Sequence, residues 1–185
     1  MGPTAAGKTA VGIRIAKAMG SAVISGDAYQ VYRGLNIGTA KAAKEEMEGV
    51  PHYLIDCRDP EEPYSAGMFR EMASKIIEKE NAAGRIPVLV GGTGLYVQGL
   101  LEGYEFSPRS RFRTKYKTLY ETEGIPGLER ALQVLSPGYI GSHPQRDPQR
   151  MIRELELAED GMREHHAGKN GTLVYAGPVM GLHTD

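Results

Sequence analysis

The sequence predicts an α/β fold in which a parallel sheet is flanked by helices and is followed by a helical insertion. Three observations support this class. The chain opens with a phosphate-binding loop pattern followed by a helical pattern. Short apolar segments then alternate with amphipathic helical patterns up to residue 103, and strand character disappears from residue 104 to residue 165. Strand character returns within residues 166–185, at residues 172–176, so we expect this segment to rejoin the core.

The length and composition fit one α/β core carrying an insertion. The chain has 185 residues, of which 41% are hydrophobic. Its 22 Lys and Arg residues balance 23 Asp and Glu residues, so the net charge does not argue for a nucleic acid partner. Basic residues are concentrated in two candidate patches for phosphate contact: residues 109–117, and Arg146, Arg150 and Arg153.

Several other kinds of protein are disfavoured. The single cysteine, Cys57, excludes an internal disulfide, and the five histidines lack the spacing typical of zinc sites. The sequence contains neither a run of about 18 apolar residues nor an apolar leader. We therefore expect a cytoplasmic, monomeric protein that makes no contact with a membrane.

The first residues match the phosphate-binding pattern G-x-x-x-x-G-K-[ST], carried here by Gly2, Pro3, Thr4, Ala5, Ala6, Gly7, Lys8 and Thr9. In such a loop, backbone N–H groups surround phosphate oxygens, which requires glycine where a Cβ atom would collide and a helix N-terminus directly afterwards. Lys8 would add a positive charge, and Thr9 a hydroxyl for Mg²⁺. The pattern predicts a site for a di- or triphosphate.

A helix is expected directly after the loop, ending at Gly20 in a left-handed conformation. The apolar residues expected on its buried face recur at helical spacing: Val11, Ile15, Ala18 and Met19. The strand that normally precedes such a loop has no counterpart before Gly2, and the segment after the last expected strand is short. We therefore expect the sequence to be truncated at both ends.

Residues 21–25 are a short apolar run between glycines and predict a buried parallel strand. Asp27 then lies just beyond the carboxyl end of a strand, where open α/β sheets bind ligands. It is a candidate for catalysis or Mg²⁺ binding, and equally for a turn or helix cap. Residues 29–41, which include Gln30, lack periodicity and predict a loop or lid.

Two more strands are expected, with a helix between them. Residues 51–56 predict a strand that ends at Asp56, and residues 86–90 give the strongest strand pattern in the chain. Ser65 is placed to cap the intervening helix and Gly84 to end it. One face of this helix is apolar, with Phe69, Met72, Ala73, Ile76 and Ile77.

Thr93 follows Gly91 and Gly92 and begins another helix, so its hydroxyl is a helix cap, a second phosphate contact, or both. Beyond residue 104, breaks at residues 124–127 and 136–138 predict two to four helices.

Asp147 is placed to cap the last of these helices, which brings Gln149, Arg150 and Arg153 within one turn. Residues 168–171 predict a mobile polar loop, and residues 172–176 predict a final strand.

Taken together, these stretches resemble the tRNA dimethylallyltransferases, which transfer a dimethylallyl group to an adenine N6 next to the anticodon. The resemblance covers nearly the whole chain and is carried, in order, by residues 2–9, 25–32, 36–41, 49–52, 91–96, 143–144 and 147–153. It implies a P-loop NTPase-like core with a helical insertion that binds tRNA. The loop would bind the diphosphate of dimethylallyl diphosphate rather than a nucleoside triphosphate.

The resemblance also implies roles for individual residues. Lys8, with Mg²⁺ near Thr9, would neutralise the leaving diphosphate, and residues 2–9 would bind it. Asp27 would accept the proton of the adenine amine, and Thr93 would contact the diphosphate and the entering nucleotide. The residues implied to contact tRNA are Asp27, Ala28, Tyr29, Gln30, Thr93, Arg113, Gln149, Arg150, Met151, Ile152 and Arg153.

Three alternatives stay open at this point. In a small-molecule P-loop kinase, Lys8, Thr9 and Asp27 would serve ATP, Mg²⁺ and a hydroxyl substrate equally well. A related transferase would prenylate free adenine nucleotides, although the basic insertion favours tRNA. An inactive RNA-binding fragment is the third alternative, because both ends of the chain are expected to be incomplete.

Overall fold

The computed structural model describes residues 6–104, 106, 110–161 and 173–182. The chain divides into two compact units, which we call the core unit (Met1–Glu105 with His166–Asp185) and the helical unit (Phe106–His165). The predicted α/β class, with a parallel sheet flanked by helices, is confirmed.

The described part of the core unit contains a three-stranded parallel sheet in the order β2-β1-β3. The strands are β1 (Val23–Ser25), β2 (His52–Tyr53) and β3 (Val88–Val90). The central strand β1 is buried along its length, as its continuous apolar run requires. Val23 is in register with both His52 and Val88.

All three strands are shorter than the sequence predicts, and β1 begins at Val23 rather than at residue 21. After Tyr53 the backbone turns through left-handed conformations at Leu54 (φ 62°) and Asp56 (φ 50°), which end strand geometry before Asp56 is reached. Ile86, expected inside the third strand, is 65% exposed and precedes it.

The helices of the core unit are α1 (Lys8–Ala18), α2 (Ala66–Ala82) and α3 (Gly94–Leu101). The expected cap of α2 is confirmed, because Ser65 Oγ accepts a hydrogen bond from the Met68 N–H at 3.3 Å. Gly20 and Gly84 follow α1 and α2 with φ angles of 57° and 72°, so both helices end as predicted.

The predicted buried face of α1 is wrong. The residues that face the sheet are Gly12, Ile13 and Ala16, whereas Val11 and Met19 are 39% and 48% exposed. The reason is the close approach of α1 to β3: a Cβ atom on Gly12 would lie 2.3 Å from Val90 Cγ2. Two of the three residues on this face, Gly12 and Ala16, are small, so a pattern built on large apolar side chains selects the wrong face.

The main core cluster lies between the sheet, α2 and α3. Phe69, on the face predicted for α2, is fully buried and stacks on Tyr96 at a centroid distance of 4.8 Å. The other buried members are Ile24, Leu54, Ala73 and Leu100, and Met72, Ile76 and Ile77 pack at the edge. This cluster anchors the strands whose ends form the candidate site.

A buried carboxylate, Glu80, links α2 to the sheet. It accepts hydrogen bonds from Tyr53 Oη at 2.9 Å and from Arg85 Nε at 2.7 Å. The bonds from Arg85, assisted by Tyr53, hold the pKa of Glu80 below its ordinary value of 4.5 against the effect of burial. A carboxylate with a lowered pKa stabilises the fold above the pKa of the unfolded chain, and this stabilisation is lost as the pH falls through the folded-state pKa.

We therefore expect Glu80→Gln to lower the free energy of unfolding near neutral pH, and the difference from wild type to shrink once the pH drops below about 4.5. Urea unfolding of both proteins at about pH 7 and about pH 3 measures this. Glu78→Gln, on the exposed face of the same helix, is the matched control. If Glu80→Gln differed from wild type in free energy of unfolding by the same amount at both pH values, the stabilising role of the ionised Glu80 would be contradicted.

The helical unit contains α4 (Arg113–Leu135), α5 (Tyr139–Ser142) and α6 (Pro148–Glu159). Gly124 kinks α4 with a φ angle of 62°, at one of the predicted breaks. As predicted, Asp147 caps α6, because its Oδ1 accepts from the Arg150 N–H at 2.9 Å. The core of this unit is formed by Tyr116, Leu128, Leu132, Met151, Ile152 and Leu155.

The predicted final strand is wrong for its described residues, 173–176, which are irregular. They attach to the core unit through a bond from the Val174 N–H to the Leu101 carbonyl at 2.7 Å and one from Tyr175 Oη to Ser74 Oγ at 2.9 Å. A strand needs a ladder of such backbone bonds. The loop predicted at residues 168–171 lies outside the described residues.

None of the helices in the described ranges has the length and apolar composition needed to cross a bilayer.

Candidate active site

A cavity of about 510 Å³ lies in the core unit where the chain leaves β1 and β3. Parallel strands direct their carboxyl ends to one edge of a sheet, and ligands bind at that edge in α/β proteins. The cavity is lined by residues from four segments: Ala6, Gly7, Lys8, Thr9, Ala10 and Ile13; Asp27 and Gln30; Thr39, Ala40, Ala42, Glu46 and Glu48; and Val90, Gly91 and Gly92.

The end of the phosphate-binding loop forms one wall. Gly7, at the N-cap position of α1, has a φ angle of 73°, a left-handed conformation that favours glycine. Lys8 and Thr9 are the first residues of α1, where N–H groups without helical partners attract anions. Gly2, Pro3, Thr4 and Ala5 lie outside the described residues.

Two glycines bring the ends of β1 and β3 together. The Gly26 N–H donates to the Val90 carbonyl at 2.7 Å, and the Thr93 N–H donates to the Gly26 carbonyl at 3.4 Å. A Cβ atom on Gly91 would lie 2.4 Å from the Gly26 carbonyl oxygen. Only glycine permits this approach, which places Asp27 and Thr93 beside each other.

Asp27 is in the place that the sequence predicts, and it also forms a turn. Its Oδ1 accepts hydrogen bonds from the backbone N–H groups of Tyr29 at 2.9 Å and Gln30 at 3.2 Å. The sequence left open a role for Asp27 at a ligand site and a role in a turn, and the two are compatible. One carboxylate oxygen shapes the turn, while the side chain lines the cavity.

Thr93 occupies the N-cap position of α3, but among the described residues its hydroxyl makes no capping bond to that helix. Instead, Thr93 Oγ1 accepts from the Ala28 N–H at 3.1 Å. The hydroxyl thus fixes the segment that carries Asp27, a contact between residues 65 positions apart.

The loop of residues 29–41 forms another wall, with Gln30, Thr39 and Ala40 lining the cavity. Ser25 Oγ donates to Gln30 Oε1 at 3.0 Å, and Gln30 Nε2 donates to the Thr39 carbonyl at 3.1 Å. Gln30 therefore connects the end of β1 to the residues that line this wall. Gln30 was identified as a candidate from the sequence, but no sequence pattern indicated that Thr39, Glu46 or Glu48 would line the cavity.

Behind the site, Tyr96 is 7% exposed and lies between Phe69 and Tyr64. Burial, with a smaller contribution from the charge of Asp27, raises the pKa of Tyr96 to about 12. The phenol therefore stays neutral at neutral pH, and its ring packs in the core behind this segment.

Carboxylates of the helical unit partly neutralise the basic residues of the same unit. Glu156, whose side chain is 0% exposed, accepts from Arg113 Nη1 at 3.0 Å and from Arg153 Nη1 at 3.1 Å. Lys115 Nζ pairs with Glu159 at 2.6 Å, and this bond, with one from Tyr116, lowers the pKa of Glu159.

The segment 149–153, expected to contact tRNA, divides into two groups. Gln149 and Arg150 are exposed, whereas Met151 and Ile152 are each 1% exposed and pack in the core of the helical unit. The resemblance grouped Met151 and Ile152 with the polar residues as tRNA contacts, but their side chains pack in the core of this unit and are not on its surface. Their role is to hold α6 in place.

The oxygen donors at the cavity are compatible with a hard cation such as Mg²⁺. Within the described residues, no group of three or more His, Cys, Asp or Glu side chains is arranged to hold a metal ion. Mg²⁺ commonly binds through few protein oxygens together with substrate phosphates. Thr9 and Asp27 line the same cavity and can supply such oxygens.

The parallel sheet, the loop end at the start of α1 and the cavity at the strand ends define a P-loop α/β protein. Residues 30–180 match the family model described as IPP transferase, and the chain belongs to this family. The resemblance found in the sequence is therefore confirmed at the level of the family.

Individual relatives agree with this assignment. The tRNA dimethylallyltransferase of Geobacillus kaustophilus is 39% identical over 188 residues, covering 98% of this chain and 60% of the relative. This chain thus spans about three fifths of the length of that relative.

Two solved structures are also similar. A tRNA delta(2)-isopentenylpyrophosphate transferase from Staphylococcus epidermidis has a TM-score of 0.61 and 34% identity, over 98% of this chain and 61% of its own. A eukaryotic dimethylallyltransferase acting on tRNA has a TM-score of 0.67 and 26% identity, over 92% of this chain and 42% of its own.

Proposed function

We propose that this protein transfers a dimethylallyl group from dimethylallyl diphosphate to N6 of adenosine 37, next to the anticodon of tRNA. The observation that supports the proposal most directly is that Lys8, Thr9 and Asp27 line one and the same cavity. The names of the relatives supply the group transferred and the acceptor, since they are called tRNA dimethylallyltransferases.

The reaction is a substitution at the first carbon of the dimethylallyl group. The N6 amine attacks that carbon, a carbon–nitrogen bond forms, and the carbon–oxygen bond to the diphosphate breaks. The diphosphate leaves with the electron pair, and one amine proton is lost. The protein must therefore neutralise the leaving group and accept a proton.

The loop and the start of α1 serve the leaving group. Lys8 brings a positive charge to the cavity, and the N–H groups at the start of α1 bind phosphate oxygens. The Thr9 hydroxyl, together with the phosphate oxygens, would hold Mg²⁺, which neutralises negative charge on a leaving diphosphate when bound. Residues 2–5 complete this loop in the sequence.

Asp27 and Thr93 serve the acceptor. Asp27 accepts the proton of the amine, a general-base role suited to a carboxylate at the strand end. Thr93 accepts a hydrogen bond from Ala28, which leaves its own O–H able to donate to the diphosphate or the nucleotide.

An adenine within a stacked anticodon loop must leave its stack to enter such a cavity. Contacts elsewhere on the tRNA offset that cost. We assign such contacts to Ala28, Tyr29 and Gln30 in the core unit, and to the exposed Gln149 and Arg150 in the helical unit. Arg113 and Arg153 contribute a smaller share, because Glu156 already binds both.

The test is incubation of the protein with labelled dimethylallyl diphosphate, Mg²⁺ and an unmodified tRNA that has adenine 3′ to the anticodon. We expect label in the tRNA. Label in free adenine nucleotides instead would favour the related transferase, and ATP turnover without label transfer would favour the kinase. Retention of tRNA without any transfer would indicate a binding protein.

We expect Lys8→Ala to weaken binding of dimethylallyl diphosphate by roughly 10-fold or more, since the charge facing the phosphates is lost, while tRNA binding changes little. Equilibrium binding of each ligand separately measures this. Lys75→Ala, which removes an exposed lysine from α2, controls for the change in net charge. Equal weakening of both ligands would contradict the proposed division of roles.

A further inference from the structure

Lys41 is a buried lysine with several hydrogen-bond partners. Its side chain is 3% exposed, and its Nζ lies 2.6 Å from Asp56 Oδ1, 2.7 Å from the Tyr32 carbonyl and 3.2 Å from Asn36 Oδ1. A buried ammonium group is costly unless it is paired and hydrogen-bonded. Three acceptors match the three donors of the group, so this lysine is held in one place.

These bonds close the loop on itself and attach it to the segment after β2. Tyr32 lies near the start of the loop, Asn36 in its middle and Lys41 at its end, and the Lys41 N–H also donates to the Asn36 carbonyl at 3.1 Å. Asp56 belongs to the neighbouring segment, where its left-handed backbone, with a φ angle of 50°, directs the chain. One ammonium group therefore joins the start, the middle and the end of the loop to the segment after β2.

The shape of this loop matters to the cavity. Thr39 and Ala40 line the cavity, and the Thr39 carbonyl accepts from Gln30. The Gln30 N–H in turn donates to Asp27 Oδ1. The loop is thus connected to the catalytic carboxylate through one side chain.

The same loop exposes an unusual amount of apolar surface. Ile37 is 97% exposed, Tyr29 is 65% exposed and Leu35 is 42% exposed. Aromatic and apolar side chains of this kind are suitable contacts for an unstacked base. Val31 is 0% exposed and anchors the start of the loop, so polar bonds are needed chiefly to order its exposed part around residues 35–41.

We propose that Lys41 is a positioning residue for the acceptor nucleotide: its buried ammonium group orders the loop of residues 29–41 as the wall that receives tRNA. The inference rests on the proposed function, because it assigns that wall to the acceptor and the phosphate-binding loop to the donor. Lys41 acts through Thr39 and Gln30 and does not contact the reacting atoms.

The test is the variant Lys41→Met, which keeps the length of the side chain and removes its charge and donors. We expect the KM for tRNA to rise roughly 10-fold or more, with the KM for dimethylallyl diphosphate within about twofold of wild type. A smaller fraction of folded enzyme would lower kcat and leave both KM values unchanged. That result would overturn the proposal.

Two further variants sharpen the comparison. Lys44→Met removes an exposed lysine from the neighbouring segment and should leave both KM values unchanged. Asp56→Asn keeps an acceptor oxygen and suits a left-handed backbone, so its effect on the KM for tRNA should be smaller than that of Lys41→Met. A larger effect would show that Asp56, and not Lys41, orders the loop.

Hydrogen exchange tests the structural step without any activity. We expect the amides of Ala40 and Lys41, which donate to Ile37 and Asn36, to exchange faster in Lys41→Met. Unchanged exchange would overturn the inference, even if activity fell. If the wild-type protein transfers no label, the proposed function fails, and hydrogen exchange alone decides whether Lys41 orders the loop.

Discussion

Replacing Asp27 by asparagine is expected to slow dimethylallyl transfer by roughly 10²- to 10⁴-fold while the fold stays intact. Asparagine keeps the Oδ1 atom that accepts from the Tyr29 and Gln30 N–H groups, so the turn after β1 is preserved. It cannot take the proton of the amine. The change therefore separates the chemical role of Asp27 from its structural role.

The measurement is the rate of label transfer to tRNA at saturating substrate, together with the thermal midpoint of unfolding. Asp27→Ala should lose the turn as well, so tRNA binding should weaken in Asp27→Ala and be kept in Asp27→Asn. Asp59→Asn, which alters an exposed carboxylate paired with Arg33, is the control. Transfer by Asp27→Asn at a rate within about tenfold of wild type would contradict the general-base role.

Replacing Gly91 by alanine is expected to lower the free energy of unfolding by about 1–3 kcal/mol and to abolish transfer. The new Cβ atom would lie 2.4 Å from the carbonyl oxygen of Gly26, 2.6 Å from its carbonyl carbon and 2.7 Å from its Cα. All three atoms belong to the backbone, so no side chain can rotate away. The strands must separate where Asp27 and Thr93 are placed.

Gly94→Ala is the matched control, because a Cβ atom there meets nothing within 4 Å and the position lies in the first turn of α3. We expect its free energy of unfolding to stay within about 0.5 kcal/mol of wild type. Chemical denaturation of the three proteins compares them directly. If Gly91→Ala and Gly94→Ala unfold at the same denaturant concentration, the inferred close approach of Gly91 to the Gly26 backbone is contradicted.

Much of the core unit could be predicted because its signals are local. Ser65, Gly84 and Asp147 mark helix ends through bonds to residues a few positions away, and the sequence shows such pairs directly. Asp27 could be placed for the same reason, because it closely follows a short apolar strand. Its location at the cavity then follows from the parallel sheet.

Other features depend on contacts between distant residues. The bond from Ala28 to Thr93 spans 65 positions and has no local pattern. Lys41 gave no signal of burial, because lysine is almost always exposed and its partner Asp56 lies 15 positions away. The buried face of α1 was predicted wrongly because it includes Gly12. This residue packs closely against β3 and has no side chain that would reveal the contact in the sequence.

The buried Glu156 changes how the helical unit would capture a polyanion. Long-range attraction between oppositely charged molecules speeds association, and it weakens as ionic strength rises. Because Glu156 offsets one of the two positive charges of Arg113 and Arg153, the field outside this unit is weaker than a count of its arginines indicates. Under the proposed function, the rate of association with tRNA should therefore fall less steeply with rising salt than the number of arginines in this unit indicates.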